Sequence, residues 1–166
     1  GLLIMVNFVK TQKQIFYMQK ALLQAKKAFH IDEVPIGAVI VSSDGEILAS
    51  AYNQVEKRKT QTAHAEILAI KKATKQVDDW RLSGCSIYVT LEPCMMCFGL
   101  IALSRIENIF FGAKSSLYGY SGYDIDSKNL PDLYTKHIKL IQSGVCEPES
   151  IEILKQFFKK KREDND

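Results

Sequence analysis

The segment from Pro35 to Tyr52 limits the possible folds more than any other part of the sequence. Residues 35–41 form an unbroken apolar run, which is typical of a strand buried on both faces. Asp44 and Gly45 then supply a hairpin turn signal, and residues 47–52 have the pattern of a returning strand. The chain must therefore build a sheet in which this hairpin provides two antiparallel strands.

Helical and strand patterns alternate along the rest of the chain. The first helix is predicted over residues 11–29, where apolar residues recur at helical spacing. Further helices are predicted over 63–75, 93–103 and 148–161, and further strands over 86–90, 106–111 and 138–141. Residues 114–129 are rich in Gly, Ser, Tyr and Asp and predict a loop or a broken helix. A hairpin followed by strands separated by helices predicts a three-layer α/β/α fold with a mixed five-stranded sheet.

The length and composition predict one domain that spans residues 1–166. Such a chain can bury a large core without disulfides. We expect residues 1–10 to lie outside the ordered core, with Met5 as a candidate native start, and residues 159–166 to form a charged tail. The net charge of +3 permits an anionic partner without requiring one. The apolar opening is too short for a signal peptide, so a cytoplasmic location is expected.

The chain has four cysteines, and only Cys94 and Cys97 form a close pair. In a reducing compartment a Cys-x-x-Cys pair indicates a metal ligand set or a redox pair instead of a structural disulfide. A four-cysteine structural zinc site that includes Cys85 and Cys146 would need a second close pair, which the sequence lacks. These two cysteines are therefore predicted to be ordinary core residues.

Two short motifs carry the predicted chemistry. Residues 62–66 contain His64 and Glu66 as His-x-Glu, and residues 92–97 contain Pro-Cys-x-x-Cys. Each motif alone is weak evidence, because a half-buried histidine or a pair of buried cysteines is common in protein cores. Both motifs lie at predicted helix N-termini. Cys94 and Cys97 are three residues apart and share a helix face. His64 and Glu66 are two residues apart, so they can serve one site only if it lies beyond the end of their helix.

Helix N-termini favour anions, so thiolates should be stabilised at this place. His64, Cys94 and Cys97 would give a tetrahedral zinc ion three protein ligands and leave a fourth position for water, which is typical of a catalytic site. Zinc lowers the pKa of bound water to about 7, and Glu66 can then act as the proton shuttle. The motifs therefore predict a hydrolytic enzyme with one Zn²⁺ per chain.

This pair of motifs is the known signature of zinc-dependent nucleobase deaminases. Between Asp32 and Lys161 the sequence closely resembles the bacterial tRNA-specific adenosine deaminases, members of the cytidine and deoxycytidylate deaminase superfamily. Beyond the two motifs, the matching residues include Asn53 and the segments 33–39, 80–82, 88–91, 104–106, 111–113 and 157–162.

The resemblance implies a cytidine-deaminase-like fold, deamination of the wobble adenosine of a tRNA anticodon to inosine, and a homodimer that forms the RNA surface. It also implies that Asn53 contacts the substrate, that Val34 lines the base pocket, and that Ala65 offers backbone polar groups. Four cations of the tail have two interpretations: solvated residues at a helix end or a phosphate-binding patch. They are Lys159, Lys160, Lys161 and Arg162.

The sequence departs from the family at residues 114–119, where the family usually has an acidic residue directly after Ala113. In the family this segment touches the RNA near the target nucleotide, so the departure concerns RNA binding and not the predicted chemistry. Two alternatives stay open at this point. One is a deaminase of a free base or nucleoside such as guanine or cytosine. The other is a non-catalytic RNA-binding protein with a structural zinc, against which Glu66 argues.

Overall fold

A mixed sheet of five strands organises the residues that this computed structural model describes, 10–123 and 135–166. The strands are β1 (Gly37–Val41), β2 (Ile47–Tyr52), β3 (Ser86–Leu91), β4 (Asn108–Ala113) and β5 (Leu140–Gln142), in the spatial order β2-β1-β3-β4-β5. Strand β1 runs antiparallel to both β2 and β3, and β3, β4 and β5 are parallel. Four strands therefore point in one direction, and β1 alone is reversed.

Five α-helices accompany these strands in the described residues. They are α1 (Gln12–His30), α2 (Val55–Arg58), α3 (Ala65–Val77), α4 (Met95–Leu103) and α5 (Glu147–Asp164), and a short 3-10 helix covers Tyr120–Tyr123. A capping box begins α1: the Thr11 hydroxyl accepts the Gln14 backbone N–H, and the Gln14 side chain accepts the Thr11 N–H. The one-turn helix α2 was not predicted from the sequence.

Two apolar layers cover the two faces of the sheet. Alternate residues of a strand point to opposite faces, so Ala38 and Ile40 of β1 pack with α3 and α4, whereas Val39 and Val41 pack with α1. Helix α5 contacts β4 and α1 and therefore lies on the same face as α1. The predicted three-layer α/β/α fold with a mixed five-stranded sheet is confirmed.

Several predicted boundaries were wrong by about two residues. Helix α4 begins at Met95 instead of Pro93, because Cys94 is its N-cap and Pro93 precedes the helix. The strand predicted from Ile106 begins at Asn108, and the strand predicted from Ile138 begins at Leu140. Both isoleucines are buried in the connections before their strands. Their apolar character therefore reflects burial in the core and not strand pairing. The expectation for residues 1–10 falls, except for Lys10, outside the described residues.

The strand directions bring distant segments to one edge of the sheet. The carboxyl ends of β2, β3 and β4 meet at this edge, together with the amino end of the reversed strand β1. Ligands of open α/β sheets bind at such an edge. The residues that leave these strands are Asn53 after β2, Glu92 after β3 and Lys114 after β4, and Val34 precedes β1.

Candidate active site

Two helix N-termini meet at this edge of the sheet. His64 is the N-cap of α3 and Cys94 is the N-cap of α4, and both have extended backbone conformations. Neither side chain caps its own helix with a hydrogen bond, so both point off the helix ends. Cys97 lies one turn into α4, on the side that faces His64, and its side chain is fully buried.

The donor atoms of these three residues lie close together. The His64 Nδ1 atom is 3.7 Å from the Cys94 Sγ atom and 3.4 Å from the Cys97 Sγ atom. All three donor atoms fall within 4.8 Å of one another. Among the described residues this is the one group of three or more histidine, cysteine or acidic side chains with metal-ligand spacing.

These distances fit a tetrahedral metal ion. With Zn–S bonds of about 2.3 Å and Zn–N bonds of about 2.0 Å, tetrahedral geometry separates sulfur from nitrogen by about 3.5 Å. The two observed separations of 3.7 and 3.4 Å bracket this value. Two thiolates and one imidazole are also a donor set that suits zinc. The cluster can therefore hold a metal ion without rearrangement of the backbone.

The protonation of the cluster is strongly coupled. The pKa of Cys94 is lowered to about 4, mainly because the Cys97 thiol donates a hydrogen bond to it and further because of His64, although burial opposes the shift. The pKa of Cys97 is raised by the same pairing, by burial and by nearby Glu66. The hydrogen bond with Cys94 also raises the pKa of His64. A thiolate is thus favoured at Cys94, and thiolates are the form in which cysteines bind metal ions.

Glu66 lies one residue inside the start of α3 and is almost completely buried, with 4% of its surface exposed. Its pKa responds to Cys97, His64 and Cys94, which places its carboxylate beside the cluster although it is not part of it. Burial raises the pKa of Glu66 above its ordinary value. A carboxylate with a raised pKa beside a metal site is suited to accept and return a proton.

A large cleft opens above the cluster, with a volume of about 1370 Å³. His64, Ala65, Glu66 and Cys94 form its floor, and Val34 and Asn53 form one wall. The Asn53 Nδ2 group donates to the Val34 carbonyl at 3.2 Å, while its Oδ1 atom is buried without a hydrogen-bond partner among the described residues. An unpaired buried acceptor costs about 1–3 kcal/mol, so this atom is a candidate contact for a bound donor.

Two buried carboxylates shape the cleft and were missed in the sequence. Glu33 accepts the backbone N–H groups of Glu56, at 3.1 Å, and of Lys57, at 2.6 Å, and so caps α2. Because α2 begins two residues after Asn53, this contact holds the wall of the cleft to which Asn53 belongs. Glu33 begins the matching segment 33–39 and Glu92 begins the motif segment 92–97, but neither glutamate was predicted to have a role.

Glu92 secures the opposite wall. One carboxylate oxygen accepts the Ser115 N–H at 3.2 Å, and the other accepts the N–H and hydroxyl of Ser121 at 3.1 and 2.6 Å. A side chain at Gly119 would collide with this carboxylate. Gly119 in turn pairs with the backbone of Cys94, so the atypical segment 114–119 is tied directly to the metal-binding loop.

Residues 114–118 form the second wall of the cleft. Leu117 of this wall is 75% exposed. Helix α5 closes the cleft with Phe157, Phe158 and Lys161.

The four cations of the tail, residues 159–162, have different surroundings. Lys161 pairs with Asp32. Lys160 lies 5.8 Å from the centre of the Phe29 ring, and Lys159 and Arg162 face away from the cleft toward a neighbouring groove.

The other candidates from the sequence lie elsewhere. Cys85 is buried in the core, as predicted, whereas Cys146 is half-buried and forms the N-cap of α5. His30 is exposed and His137 is half-buried, and neither lines the cleft. Within the described residues, no helix combines the length and apolar character needed to cross a membrane.

Comparisons with known proteins place the chain among the deaminases. Residues 12–162 match the MafB19-like deaminase family. The tRNA-specific adenosine deaminase of Bacillus subtilis is 44% identical over 152 residues, which cover 92% of each protein. The chloroplastic tRNA(adenine(34)) deaminase of Arabidopsis thaliana is 39% identical over 90% of this chain, which spans only 12% of that longer protein.

Solved structures of two deaminases share this fold. A structure from studies of A-to-I editing by tRNA:A34 deaminases has a TM-score of 0.77 and 39% identity, covering 84% of this chain and 99% of the other. The guanine deaminase of Bacillus subtilis has a TM-score of 0.61 and 31% identity, covering 74% of this chain and 79% of the other. The chain therefore belongs to the family of tRNA-specific adenosine deaminases.

Proposed function

We propose that this protein is a zinc-dependent hydrolase that converts the wobble adenosine of a tRNA anticodon loop to inosine. The observation that carries the proposal is the three-ligand cluster of His64, Cys94 and Cys97, with the buried Glu66 beside it on the floor of an open cleft. A structural zinc site normally has four protein ligands and no acid beside it. The geometry therefore favours catalysis over a purely structural metal.

In this proposal His64, Cys94 and Cys97 hold one zinc ion per chain. Bound there, zinc would supply Lewis-acid activation of a water molecule, whose pKa falls to about 7. Glu66 takes a proton from the water as it adds to the amine-bearing carbon, and delivers a proton to the ring nitrogen. The same carboxylate then takes the remaining proton of the added hydroxyl group and passes it to the departing amine. Adenosine and water are thus converted to inosine and ammonia.

The walls of the cleft would orient the base. The unpaired Oδ1 atom of Asn53 accepts a hydrogen bond from the nucleoside, and Val34 packs against the base. The Ala65 N–H lies at the first position of α3, where helix geometry leaves it without an intrahelical acceptor. These three contacts fix which atom of the base faces Glu66.

The size of the cleft favours RNA over a free base. Pockets for small molecules usually have volumes of about 300–1,000 Å³, whereas this cleft measures about 1370 Å³. The outer part is formed by Leu117, Tyr118 and Phe158, and the exposed aromatic rings of Tyr118 and Phe158 can stack on splayed bases. In a single-stranded anticodon loop the target base leaves its stack at low cost.

We also propose that the protein is a cytoplasmic homodimer in which residues 1–166 form one deaminase domain. Helix α4 is apolar on all sides: its inner face is buried, while Met95 and Leu103 on its outer face are each 50% exposed. A helix that is apolar all round is normally buried. A second copy packed on this outer face would cover it next to the metal ligands that α4 carries.

The proposal can be tested by measuring ammonia release from an anticodon stem-loop, free adenosine, cytosine and guanine, each over a range of salt concentrations. We expect activity on the stem-loop alone, and we expect it to fall steeply with salt because phosphate contacts release counterions. Activity on free guanine or cytosine that ignores salt would support the alternative substrate class and refute the proposed one.

A further inference from the structure

Asn53 is held in the wall of the cleft by the segment that precedes β1. Its backbone N–H donates to the Ile36 carbonyl at 3.0 Å, and its side-chain Nδ2 group donates to the Val34 carbonyl at 3.2 Å. The Val34 carbonyl also accepts the Ile36 N–H at 2.9 Å, within a tight turn. The backbone bond therefore fixes where Asn53 lies, and the bond to Val34 fixes how its amide group is turned.

Glu33, the residue before Val34, links this turn to α2. Its Oε2 atom accepts the Glu56 N–H at 3.1 Å, and its Oε1 atom accepts the Lys57 N–H at 2.6 Å. These amides belong to the second and third residues of α2, where a helix provides no acceptor of its own. The N-cap residue Gln54 makes no capping hydrogen bond with its side chain. Glu33 therefore supplies the cap of α2 from another segment of the chain.

A carboxylate is a costly side chain to bury at this position. Glu33 is only 2% exposed and forms no ion pair within the described part of the chain. Each of its two oxygens is already bonded to a backbone amide of α2, so Glu33 lines the cleft without offering a free contact to a substrate. What the carboxylate adds is a link between α2 and the turn at Val34 that orients Asn53.

We infer that Glu33 is a positioning residue for deamination and acts by holding the Asn53 amide in the orientation that the reaction uses. The inference rests on the proposed function, in which Asn53 contacts the nucleoside. While Glu33 holds the turn, the Val34 carbonyl stays within reach of the Asn53 Nδ2 group, and the Oδ1 atom stays unpaired for a bound donor. A glutamine at position 33 could accept only one of the two α2 amides, because its NH₂ group would face the other. The turn would then lose one attachment to α2, and the Asn53 amide could turn over.

The kinetic test is a double-mutant cycle with an anticodon stem-loop as the substrate of the zinc-loaded full chain. Glu33→Gln should lower kcat/KM by about 10-fold, because a small misplacement of an orienting group is costly. The loss should fall on the same parameter, kcat or KM, that Asn53→Ala changes. In the Asn53→Ala background, Glu33→Gln should cause no further loss, because no amide is left to orient. Glu92→Gln is the matched control on the opposite wall, and its loss should multiply with that of Asn53→Ala.

A second measurement does not depend on turnover. The NMR resonances of the Asn53 side-chain amide should shift in Glu33→Gln and stay unchanged in Glu92→Gln. Losses of Glu33→Gln and Asn53→Ala that multiply, or Asn53 amide resonances that Glu33→Gln leaves in place, would overturn the inference and leave the proposed function intact. A wild-type protein that does not deaminate the stem-loop would instead refute the proposed function, and the NMR comparison would still decide whether Glu33 orients Asn53.

Discussion

Glu66 combines two properties that rarely occur together in a structural residue: near-complete burial and contact with the Cys97 thiol of the metal cluster. We predict that Glu66→Ala lowers the rate of deamination by a factor of at least about 10²–10⁴, the usual contribution of a general acid–base group. The purified variant should retain its metal, because the three ligands are untouched. Inosine formation and zinc content measure the two effects separately, and a fully active variant would contradict the assigned role.

The unpaired Oδ1 atom of Asn53 leads to a second prediction at this scale. Asn53→Ala should lower kcat/KM for the RNA by about 10- to 100-fold, equivalent to about 1.4–2.8 kcal/mol, because the variant cannot accept a hydrogen bond from the substrate. Gln54→Ala is the control, since the Gln54 side chain pairs with Arg58 and does not line the cleft. Steady-state kinetics that show equal losses for both variants would argue for a general effect on folding.

At the scale of residues, the sequence predicts those site residues that belong to motifs. His64, Cys94 and Cys97 have ligand chemistry and helix-end positions that the sequence reveals, and the structure places their donor atoms together. Glu33 and Glu92 were missed because their role is to accept backbone N–H groups of segments 23 to 29 residues away. Such partners are created by the tertiary fold and leave no local pattern.

The elements around the cleft depend on these two carboxylates. Glu33 holds the start of α2, and Glu92 holds the segment from Ser115 to Ser121. Each carboxylate can accept several N–H groups, whereas an amide side chain must present a donor to at least one of them. The two glutamates are therefore comparable anchors that act on opposite walls.

We predict that Glu92→Gln accelerates amide hydrogen exchange at Ser115 and Ser121, while the central strands keep their protection. Glu33→Gln is the matched control and should accelerate exchange only at Glu56 and Lys57. Breaking such hydrogen bonds costs about 1–3 kcal/mol, which corresponds to a roughly 5- to 150-fold change in local opening. If each variant loosened both walls equally, the two carboxylates would not act as separate local anchors.

Element order and type could be predicted from the sequence because hydrophobic periodicity and turn signals are local. The boundaries were less accurate where a buried residue lies outside a regular element. Ile106 is fully buried, yet it follows Arg105 in a left-handed turn, with φ of 67°, and joins no strand pair. The one-turn helix α2 was not predictable because its N-terminus is capped by Glu33, 23 residues before the bonded amide of Glu56.

At the scale of the whole molecule, the outer face of α4 has no cover within the described chain. We predict that Leu103→Glu shifts the protein from dimer to monomer in sedimentation experiments, because a buried charge without a partner is strongly unfavourable. Leu23→Glu is the control: Leu23 is also 50% exposed but lies on α1, on the other side of the sheet. A dimer that survives Leu103→Glu would place the interface elsewhere.

Taken as a whole, the molecule is proposed to make inosine at one position of an RNA. The decisive experiment incubates a complete tRNA with an adenosine at the wobble position and maps inosine nucleotide by nucleotide. Wild-type protein and Glu66→Ala, each with its zinc content determined, are compared side by side. We predict inosine at the wobble position with the wild type and none with Glu66→Ala. An unmodified tRNA, combined with ammonia release from free guanine or cytosine by the same wild-type preparation, would contradict the proposal.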